Sequence, residues 1–365
     1  MKPMSTRRLV VCPSGCKPKD LVRLRVLAHS VRTHAPSWSV RILLSGCTST
    51  FPSDDPLLTW ATVTYHPLPP SLARGPDFRG FVLKPWLLTQ GIAREVYAGD
   101  LVHVVDSDEL LLSAGRDEEV PLAPLYNFGV NWVMAFCVST SLDLCPNMTH
   151  AQLKKVILHG VPYVLRGDHF KRVAAIWYDT MLRVVHTWGR FRLEADQQAY
   201  ALAAVRANVT HRVTPNIMLS TPSLTTDEAW SRIESGPCDE LHFRNLPEPL
   251  YIHTCQWYSA CASGEAWPCA RMEDAWHFHK GKVPTDLFRC DAPLLEPPPI
   301  DLLIKQKTPV GRNAAFVVCA AIHMYNRAAM SQCSSRSMSI RIRRTGLSNS
   351  NQRLAVLRPR NKQSQ

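Results

Sequence analysis

Long hydrophobic runs are missing from this sequence. A transmembrane helix needs about 20 consecutive apolar residues, whereas the longest apolar run near the end of the chain, Ala314 to Ile322, has nine. The N-terminus begins with basic residues but lacks the apolar run of roughly 7–15 residues that marks a signal peptide. Two alternatives stay open: a cytosolic protein, or a chain whose targeting segment precedes this sequence.

Several familiar binding motifs are also missing. Neither G-x-G-x-x-G nor G-x-x-x-x-G-K-[ST] follows the first predicted strand, Leu9 to Val11, so the sequence does not predict a dinucleotide or P-loop site there. The chain has 12 cysteines, yet no C-x-x-C pair is followed by a matching second pair. This spacing argues against a zinc ribbon.

Acidic residues are almost absent from the end of the chain. Residues 301–365 contain 12 Lys and Arg residues and one acidic residue, so most of the net charge of +12 comes from this segment. Residues 1–300 are close to neutral, which excludes nucleic-acid binding through a basic surface of the core. Because residues 301–365 also lack a sustained apolar period, they are predicted to be a basic, disordered tail.

Cysteine, in contrast, is abundant, and five cysteines fall between Cys238 and Cys290. Two N-glycosylation acceptor sequences begin at Asn147 and Asn208. Many cysteines together with such acceptors are typical of an oxidising secretory lumen. A cytosolic protein with free buried thiols is the alternative, and a Cys/His metal module within residues 238–290 is another interpretation of the same segment.

The first third of the chain alternates apolar strands with amphipathic helices. Leu9 to Val11, Val40 to Leu44 and Leu101 to Val105 have strand patterns, and Asp20 begins a helix that ends near Ala35-Pro36. A second helix is predicted to open at Lys84-Pro85-Trp86. This alternation predicts an α/β fold with a mainly parallel sheet flanked by helices. In such sheets ligands bind beyond the carboxyl ends of the strands.

Three carboxylates in four residues follow one of these predicted strands. The stretch V-H-V-V-D-S-D-E-L-L-L places Asp106, Asp108 and Glu109 directly after it. Close like charges repel and their burial is costly, so a cationic partner is expected. Two carboxylates at positions i and i+2 of a turn can hold Mn²⁺ or Mg²⁺, which in turn can neutralise a diphosphate leaving group. The alternative is a solvated turn in which Asp106 caps backbone amides.

Five stretches of the chain resemble motifs of one enzyme family, in the same order, over roughly residues 8–299. They are F-V-L-K-P-W-L-L-T-Q-G-I, L-V-H-V-V-D-S-D-E-L-L-L, A-Y-A-L-A-A, Y-I-H-T-C-Q-W-Y and H-K-G-K-V-P-T-D-L-F-R-C-D-A-P-L-L-E-P-P-P. The sequence thereby resembles the plant and algal peptidyl glycosyltransferases that include hydroxyproline O-arabinosyltransferases and peptidyl serine α-galactosyltransferases.

This resemblance implies a GT-A type, Rossmann-like domain over residues 1–300 with a Cys/His-rich C-terminal segment. It also implies a UDP-sugar donor, a divalent metal (Mn²⁺ or Mg²⁺), and transfer of galactose or arabinose to a Ser or hydroxyproline hydroxyl of a protein acceptor. The expected location is the Golgi or ER lumen. A membrane anchor is expected for the family but is not visible in this sequence.

Carried over by position, the resemblance assigns three groups of site residues. The expected metal ligands are Asp106, Asp108 and His253. The residues expected to meet the donor phosphates are Lys84, Lys280 and Lys282. The expected catalytic residue, facing the sugar or the acceptor, is Asp196. Ser107 departs from the family pattern, which has proline between the two aspartates.

Less specific interpretations of these residues stand beside the assignment. His253 is otherwise a core histidine bonded to backbone, and Lys280 and Lys282 are solvated charges. His277 and His279 are spaced to bind a metal, but a partly exposed strand is the preferred interpretation of this pair. At the level of the whole protein, the alternative is a catalytically inactive relative that binds a sugar nucleotide or a glycan.

Overall fold

The structure is a computed structural model of the 365-residue chain. It describes residues 6–68, 79–115, 121–124, 160–188, 195–224, 228–233, 238, 246, 248–264, 269, 275–333, 341–343 and 355–356. Cys137, Cys145 and the acceptor sequence at Asn147 lie outside these residues. No helix within the described ranges is both long enough and apolar enough to cross a bilayer.

The chain begins with strands and helices in alternation. In order they are β1 (Arg8–Gly15), α1 (Pro18–His34), β2 (Ser39–Ser45), α2 (Pro56–Trp60), β3 (Thr62–His66), α3 (Arg79–Gly91) and β4 (Leu101–Val104). Helix α1 starts with Pro18 and has Asp20 in its first turn and basic residues in its last turn. Each of these placements suits a helix end.

Helix α3 begins earlier than the sequence predicts. The sequence predicted that Pro85 opens the helix, but the helix starts at Arg79 and Pro85 lies inside it. A proline in this position removes one helical hydrogen bond. The helix nevertheless continues because Val82, Leu87 and Leu88 are all buried in the core.

Seven strands form the main sheet in the order β3-β2-β1-β4-β7-β6-β8. The three strands that complete it are β6 (Leu122–Pro124), β7 (Tyr163–Arg166) and β8 (Arg212–Thr214). Strands β3, β2, β1 and β4 are mutually parallel, whereas β7 runs antiparallel to both β4 and β6. The predicted α/β fold with a mostly parallel sheet is therefore confirmed.

Helices cover both faces of this sheet. Two further helices, α4 (Gly167–Trp188) and α5 (Ala195–Arg206), pack with α3 against one face. Helix α1 packs against the other face. Successive residues of β1 divide accordingly: Leu9 and Val11 join the first cluster, and Val10 and Cys12 join the second. This division is the period-two pattern of a strand buried on both sides.

A second, smaller sheet contains the strand that follows β4 in the chain. It consists of β5 (Glu109–Ser113), β10 (Leu250–His253) and β9 (Met218–Leu219), in that order. Strand β10 is antiparallel to β5 and places His253 opposite Glu109. A hairpin of β11 (Tyr258–Cys261) and β12 (Ala275–Phe278) follows. Short 3₁₀ turns occupy Pro215–Ile217, Ala229–Arg232 and Lys280–Lys282.

The prediction that residues 301–365 form a disordered tail is wrong for the segment up to residue 333. This segment contains α6 (Ile300–Ile304) and α7 (Pro309–Cys333), a 25-residue helix. Seventeen residues of α7 are buried, many of them alanine, valine or aromatic residues. The sequence pattern was misleading because α7 is apolar around much of its circumference, as expected of a core helix. Residues 294–295, 341–343 and 355–356 are strands β13, β14 and β15.

Four disulfides occur among the described residues. They join Cys16 to Cys47, Cys238 to Cys319, Cys261 to Cys269 and Cys290 to Cys333. Two of them connect helix α7 to earlier parts of the chain, so this helix belongs to the same folded unit as residues 1–300. The domain boundary predicted at residue 300 is therefore incorrect.

Removing side-chain volume from α7 should destabilise the whole protein. Ile322 is fully buried, so Ile322→Ala is expected to lower the free energy of unfolding by about 2–5 kcal/mol. Met330, on the same helix, is 38% exposed, and Met330→Ala should change it by less than about 0.5 kcal/mol. Denaturant unfolding of both variants provides the measurement. If both variants left the free energy of unfolding nearly unchanged, helix α7 would not be packed in the core.

Candidate metal centre

Two carboxylates lie at the carboxyl end of strand β4. Asp106 and Asp108 occupy the turn between β4 and β5, where the amide of Glu109 donates a hydrogen bond to the carbonyl of Asp106 at 3.1 Å. Strand β4 is parallel to β1, and the strand order reverses between them. This edge is the position at which doubly wound sheets bind ligands. The predicted position of the two aspartates is thus the one found.

A third candidate ligand, His253, comes from the end of strand β10. Its Nε2 atom lies 3.5 Å from Asp108 Oδ2. The following residue fixes this approach, because the amide and the hydroxyl of Thr254 both donate hydrogen bonds to the Asp108 carbonyl at 2.9 Å. On the other side, the Tyr258 hydroxyl donates to the His253 carbonyl at 2.9 Å. One histidine and one turn are therefore held together by main-chain contacts.

These three side chains can hold a metal ion. One potential ligand atom from each of Asp106, Asp108 and His253 lies within 4.8 Å of the other two. Carboxylate oxygen and imidazole nitrogen are ligands suited to divalent cations such as Mn²⁺. Asp106 is the most open of the three, with 24% of its side chain exposed, so the cluster faces outward through this residue.

Lysines provide the cationic partners that the carboxylate cluster requires. Lys84 Nζ of α3 lies 2.7 Å from Asp106 Oδ1 and 2.7 Å from Asp196 Oδ2. Lys280 Nζ contacts Asp108 Oδ2. Lys84 precedes Asp106 by 22 residues, and Lys280 follows Asp108 by 172 residues. Tertiary contacts therefore bring each pair together. Lysines from two distant segments of the chain thus provide the cationic partners expected for these carboxylates.

Burial and ion pairing oppose each other in setting the pKa values here. Burial alone would raise the pKa of Asp108, but His253 and Lys280 outweigh it and hold that pKa well below its usual range. Burial alone would lower the pKa of Lys84, yet Asp106 and Asp196 raise it above its usual value. For Asp196, burial is stronger than the contribution of Lys84, and the pKa is raised.

The cluster has more carboxylates than cations. Asp106, Asp108 and Asp196 contact two lysines, so these three carboxylates outnumber the ammonium groups beside them. Glu109 is a fourth carboxyl group, fully buried, and neither of its oxygens has a hydrogen-bond partner among the described residues. An excess of buried acid next to three possible ligand atoms is the environment that a divalent cation stabilises.

A cavity of about 740 Å³ opens beside the cluster. Its walls are the carboxyl ends of β1 and β2, the first turn of α1 and the loop after β2, and Lys84 lies at its border. Polar and aromatic side chains line it, including Thr48, Ser49, Phe51 and Tyr65. The volume falls within the usual range of small-molecule sites, roughly 300–1,000 Å³.

The predicted site residues do not all meet. Asp106, Asp108, His253, Lys84 and Lys280 form one cluster, as described above. Asp196 joins it through Lys84, whose Nζ lies 2.7 Å from Asp196 Oδ2, but Asp196 is not one of the three possible metal ligands. Lys282 is exposed and forms no ion pair with any residue that the structure describes.

Sequence reasoning missed Cys255, a free thiol two residues after His253. Its Sγ atom lies 3.5 Å from Ser220 Oγ. Burial raises the pKa of Cys255, but the charge and hydrogen bond of His253 outweigh it and bring this pKa to about 7. The only sequence signal was its position next to His253 in the stretch Y-I-H-T-C-Q-W-Y.

The alternative of a Cys/His metal module in residues 238–290 is not supported. Cys238, Cys261, Cys269 and Cys290 all form disulfides, which leaves them no thiolate for a metal. Cys238, Cys319 and His323 are close enough for a metal site, but the two sulfurs are joined to each other.

Single histidines of that segment have other contacts. His277 Nδ1 lies 2.7 Å from Ser259 Oγ. His279 stacks on Trp257 with ring centroids 4.4 Å apart. Neither residue joins a metal-binding group among the residues that the structure describes.

A scan of the sequence against protein-family models and a search of curated proteins both find no match. Assignment of a function therefore depends on the chemistry of the cluster and on the motifs quoted above.

Lys84 should be required for stability because it pairs with the buried carboxylate of Asp196 and the partly exposed carboxylate of Asp106. Lys84→Met is expected to lower the free energy of unfolding by about 3–5 kcal/mol. Adding Asp196→Asn should recover part of this loss, with a coupling energy of about 0.5–3 kcal/mol. Denaturant unfolding of the two single variants and the double variant measures this coupling energy. Additive effects would contradict the ion pair, and the exposed Lys282→Met serves as the control.

Glu109 should make the metal-free protein less stable as the pH rises. Burial raises the pKa of Glu109 well above its usual value, and Asp106 and Asp108 add to this rise against the opposing effect of His253. The folded protein therefore retains a proton that the unfolded chain releases above about pH 4.3. Stability that is present below this pH is lost as the pH rises toward the folded pKa.

Melting temperatures in EDTA at pH 5 and pH 8 test this expectation. The fall in melting temperature between these values should be smaller in Glu109→Gln than in the wild type. Glu95→Gln, which changes a carboxylate with 52% of its side chain exposed, is the matched control and should behave like the wild type. An unchanged fall in Glu109→Gln would contradict the raised pKa.

Proposed function

We propose that the protein is a metal-dependent GT-A glycosyltransferase. It transfers galactose or arabinose from a UDP-sugar to a Ser or hydroxyproline hydroxyl of a protein acceptor. The observation that carries this proposal is the convergence of Asp106, Asp108 and His253 with two lysines beside a cavity at the carboxyl edge of a mostly parallel sheet. The five motifs shared with the peptidyl glycosyltransferases support the choice of donor and acceptor.

The residues of the cluster fit a divalent cation. Two carboxylates and one imidazole would hold Mn²⁺ or Mg²⁺, and the buried carboxyl group of Glu109, whose oxygens have no hydrogen-bond partner among the described residues, lies next to Asp108 in the chain. When bound, the ion supplies positive charge to a diphosphate leaving group. The contacts of Thr254 with Asp108 keep the histidine and the aspartate in register before any ion arrives.

The cavity suits the nucleotide part of a donor. The 17-residue helix α1 begins at its wall, and a helix N-terminus favours phosphate. Lys84 borders both the cavity and the cluster, so its ammonium group lies where charge on a leaving diphosphate would develop. Two aromatic side chains that line the cavity, Phe51 and Tyr65, provide apolar surface for a base.

Asp196 has a supporting part in this proposal. Its carboxylate accepts a hydrogen bond from Lys84 at 2.7 Å, and its backbone carbonyl accepts one from the indole of Trp177 at 3.0 Å. Because Lys84 already occupies this buried carboxylate, the part proposed for Asp196 is to position Lys84. The motif resemblance implies a direct contact with the sugar or the acceptor instead.

A secretory lumen, Golgi or ER, is the proposed location. Four disulfides among the described residues support it, because structural disulfides form and persist in oxidising compartments. Asn208 of the second acceptor sequence is exposed in the turn after α5, where a glycan would meet no core side chain.

Replacing one ligand tests the proposed chemistry. The purified chain should hydrolyse UDP-linked galactose or arabinose with Mn²⁺ present, and EDTA should stop the reaction. Asp108→Asn should reduce the rate by about 10²–10³, because one strong electrostatic contact to developing charge is lost. Asp54→Asn, an exposed change far from the cluster in sequence, should leave the rate unchanged.

The outcomes separate the candidate functions. Mn²⁺-dependent binding of UDP-sugar without turnover would favour the catalytically inactive, donor-binding relative. Full turnover by a folded Asp108→Asn protein would remove Asp108 from the metal site. Failure of every UDP-sugar to bind would contradict the proposed donor.

A further inference from the structure

Lys280 contacts the carboxylate of Asp108, one of the three candidate metal ligands. Its ammonium group contacts Asp108 Oδ2, and the same oxygen lies 3.5 Å from His253 Nε2. Asp108 and His253 are two of the three possible metal ligands. An ammonium group and a divalent cation on one carboxylate oxygen repel each other, so this contact belongs to the protein without metal.

Little else holds the side chain of Lys280 in place. It is 27% exposed, and Asp108 is its one ion-pair partner among the described residues. Its backbone lies in the short 3₁₀ turn Lys280–Lys282. The carbonyl of the next residue, Gly281, accepts a hydrogen bond from Lys19 at 2.6 Å. Since Lys19 lies in the first turn of α1, the turn that carries Lys280 is connected to the helix end that borders the cavity.

Lys84 is held much more firmly. It pairs with two carboxylates at 2.7 Å, and only 11% of its side chain is exposed. A metal ion that engages Asp106 leaves Asp196 as a partner for Lys84. Lys280 has no such second partner, so a competing cation at Asp108 affects it most.

From these contacts we propose that Lys280 exchanges partners. It neutralises Asp108 while the metal is absent, leaves it when a divalent cation binds, and then contributes its charge to the diphosphate of the donor. This inference rests on the proposed function for the identity of the donor. A flexible lysine with a compact charge suits both positions, because its ammonium group has no fixed geometry to satisfy.

The exchange makes two binding events depend on each other. Lys280 opposes the metal while it occupies Asp108, and it favours a diphosphate once it is released. The donor should therefore increase the affinity of the metal, and the metal should increase the affinity of the donor by the same factor. The donor then binds the metal-loaded protein more tightly than the protein without metal.

Calorimetric titration of Lys280→Met tests the exchange without requiring activity. Mn²⁺ titrated into the full chain should bind this variant about 10-fold more tightly than the wild type, since a competitor for Asp108 is lost. UDP titrated in saturating Mn²⁺ should bind the variant about 10-fold more weakly, since a phosphate contact is lost. Lys171→Met, an exposed change on helix α4, should alter neither affinity.

Tighter binding of Mn²⁺ together with weaker binding of UDP in Lys280→Met would support the exchange, and every other result would overturn it. A lysine that only binds phosphate would weaken UDP binding and leave Mn²⁺ binding unchanged. A lysine that only supports the local fold would weaken both, and apo melting curves would show the loss of stability. Absence of Mn²⁺ binding in wild type and variant alike would overturn the exchange together with the proposed function, whereas Mn²⁺ and UDP binding unaffected by the variant would overturn the exchange alone.

Discussion

The clustering of four carboxyl groups, three of them buried, at one edge of the sheet is the constraint on which the rest of this site depends. Asp108, Glu109 and Asp196 are each at least nine-tenths buried, and Asp106 lies beside them. Isolated buried charges are far too costly to persist in a folded protein. The fold must therefore bring cations to this place, raise the pKa of some of the acids, or do both. Lys84 and Lys280 contact three of the carboxylates, and burial raises the pKa of Glu109 and of Asp196.

The long-range architecture follows from this requirement. Lys84 arrives on α3, His253 on the antiparallel strand β10, and Lys280 on the turn after β12. Strand β10 is held to the aspartate turn by pairing with β5, and helix α7 packs against the β11–β12 hairpin that precedes Lys280. Residues beyond 300 thus support the position of a charge that neutralises an aspartate 172 residues earlier in the chain.

Much of this site could be predicted from the sequence, but only where a local pattern carried the information. Alternating apolar runs indicated the parallel strands, and the pair Asp106 and Asp108 after a strand indicated a cation site. The partnership of Lys84 with Asp196, and of Lys280 with Asp108, has no local signature because it depends on tertiary contacts. Helix α7 was missed since the lack of acidic residues resembled the composition of a tail, although its small apolar residues suit a buried helix.

The lysines that neutralise the carboxylate cluster also compete with a metal ion for its oxygens. A cluster fully neutralised by fixed lysines would leave no oxygen for a metal, whereas a cluster without lysines would not tolerate burial in the metal-free protein. The structure combines one firmly held lysine with one that is partly exposed and singly paired. Lys84 therefore sustains the fold in every state, and the weaker hold on Lys280 leaves Asp108 accessible to a stronger cation. The stability of the carboxylate cluster and the metal binding proposed for it thus depend on the different anchoring of two side chains of the same type.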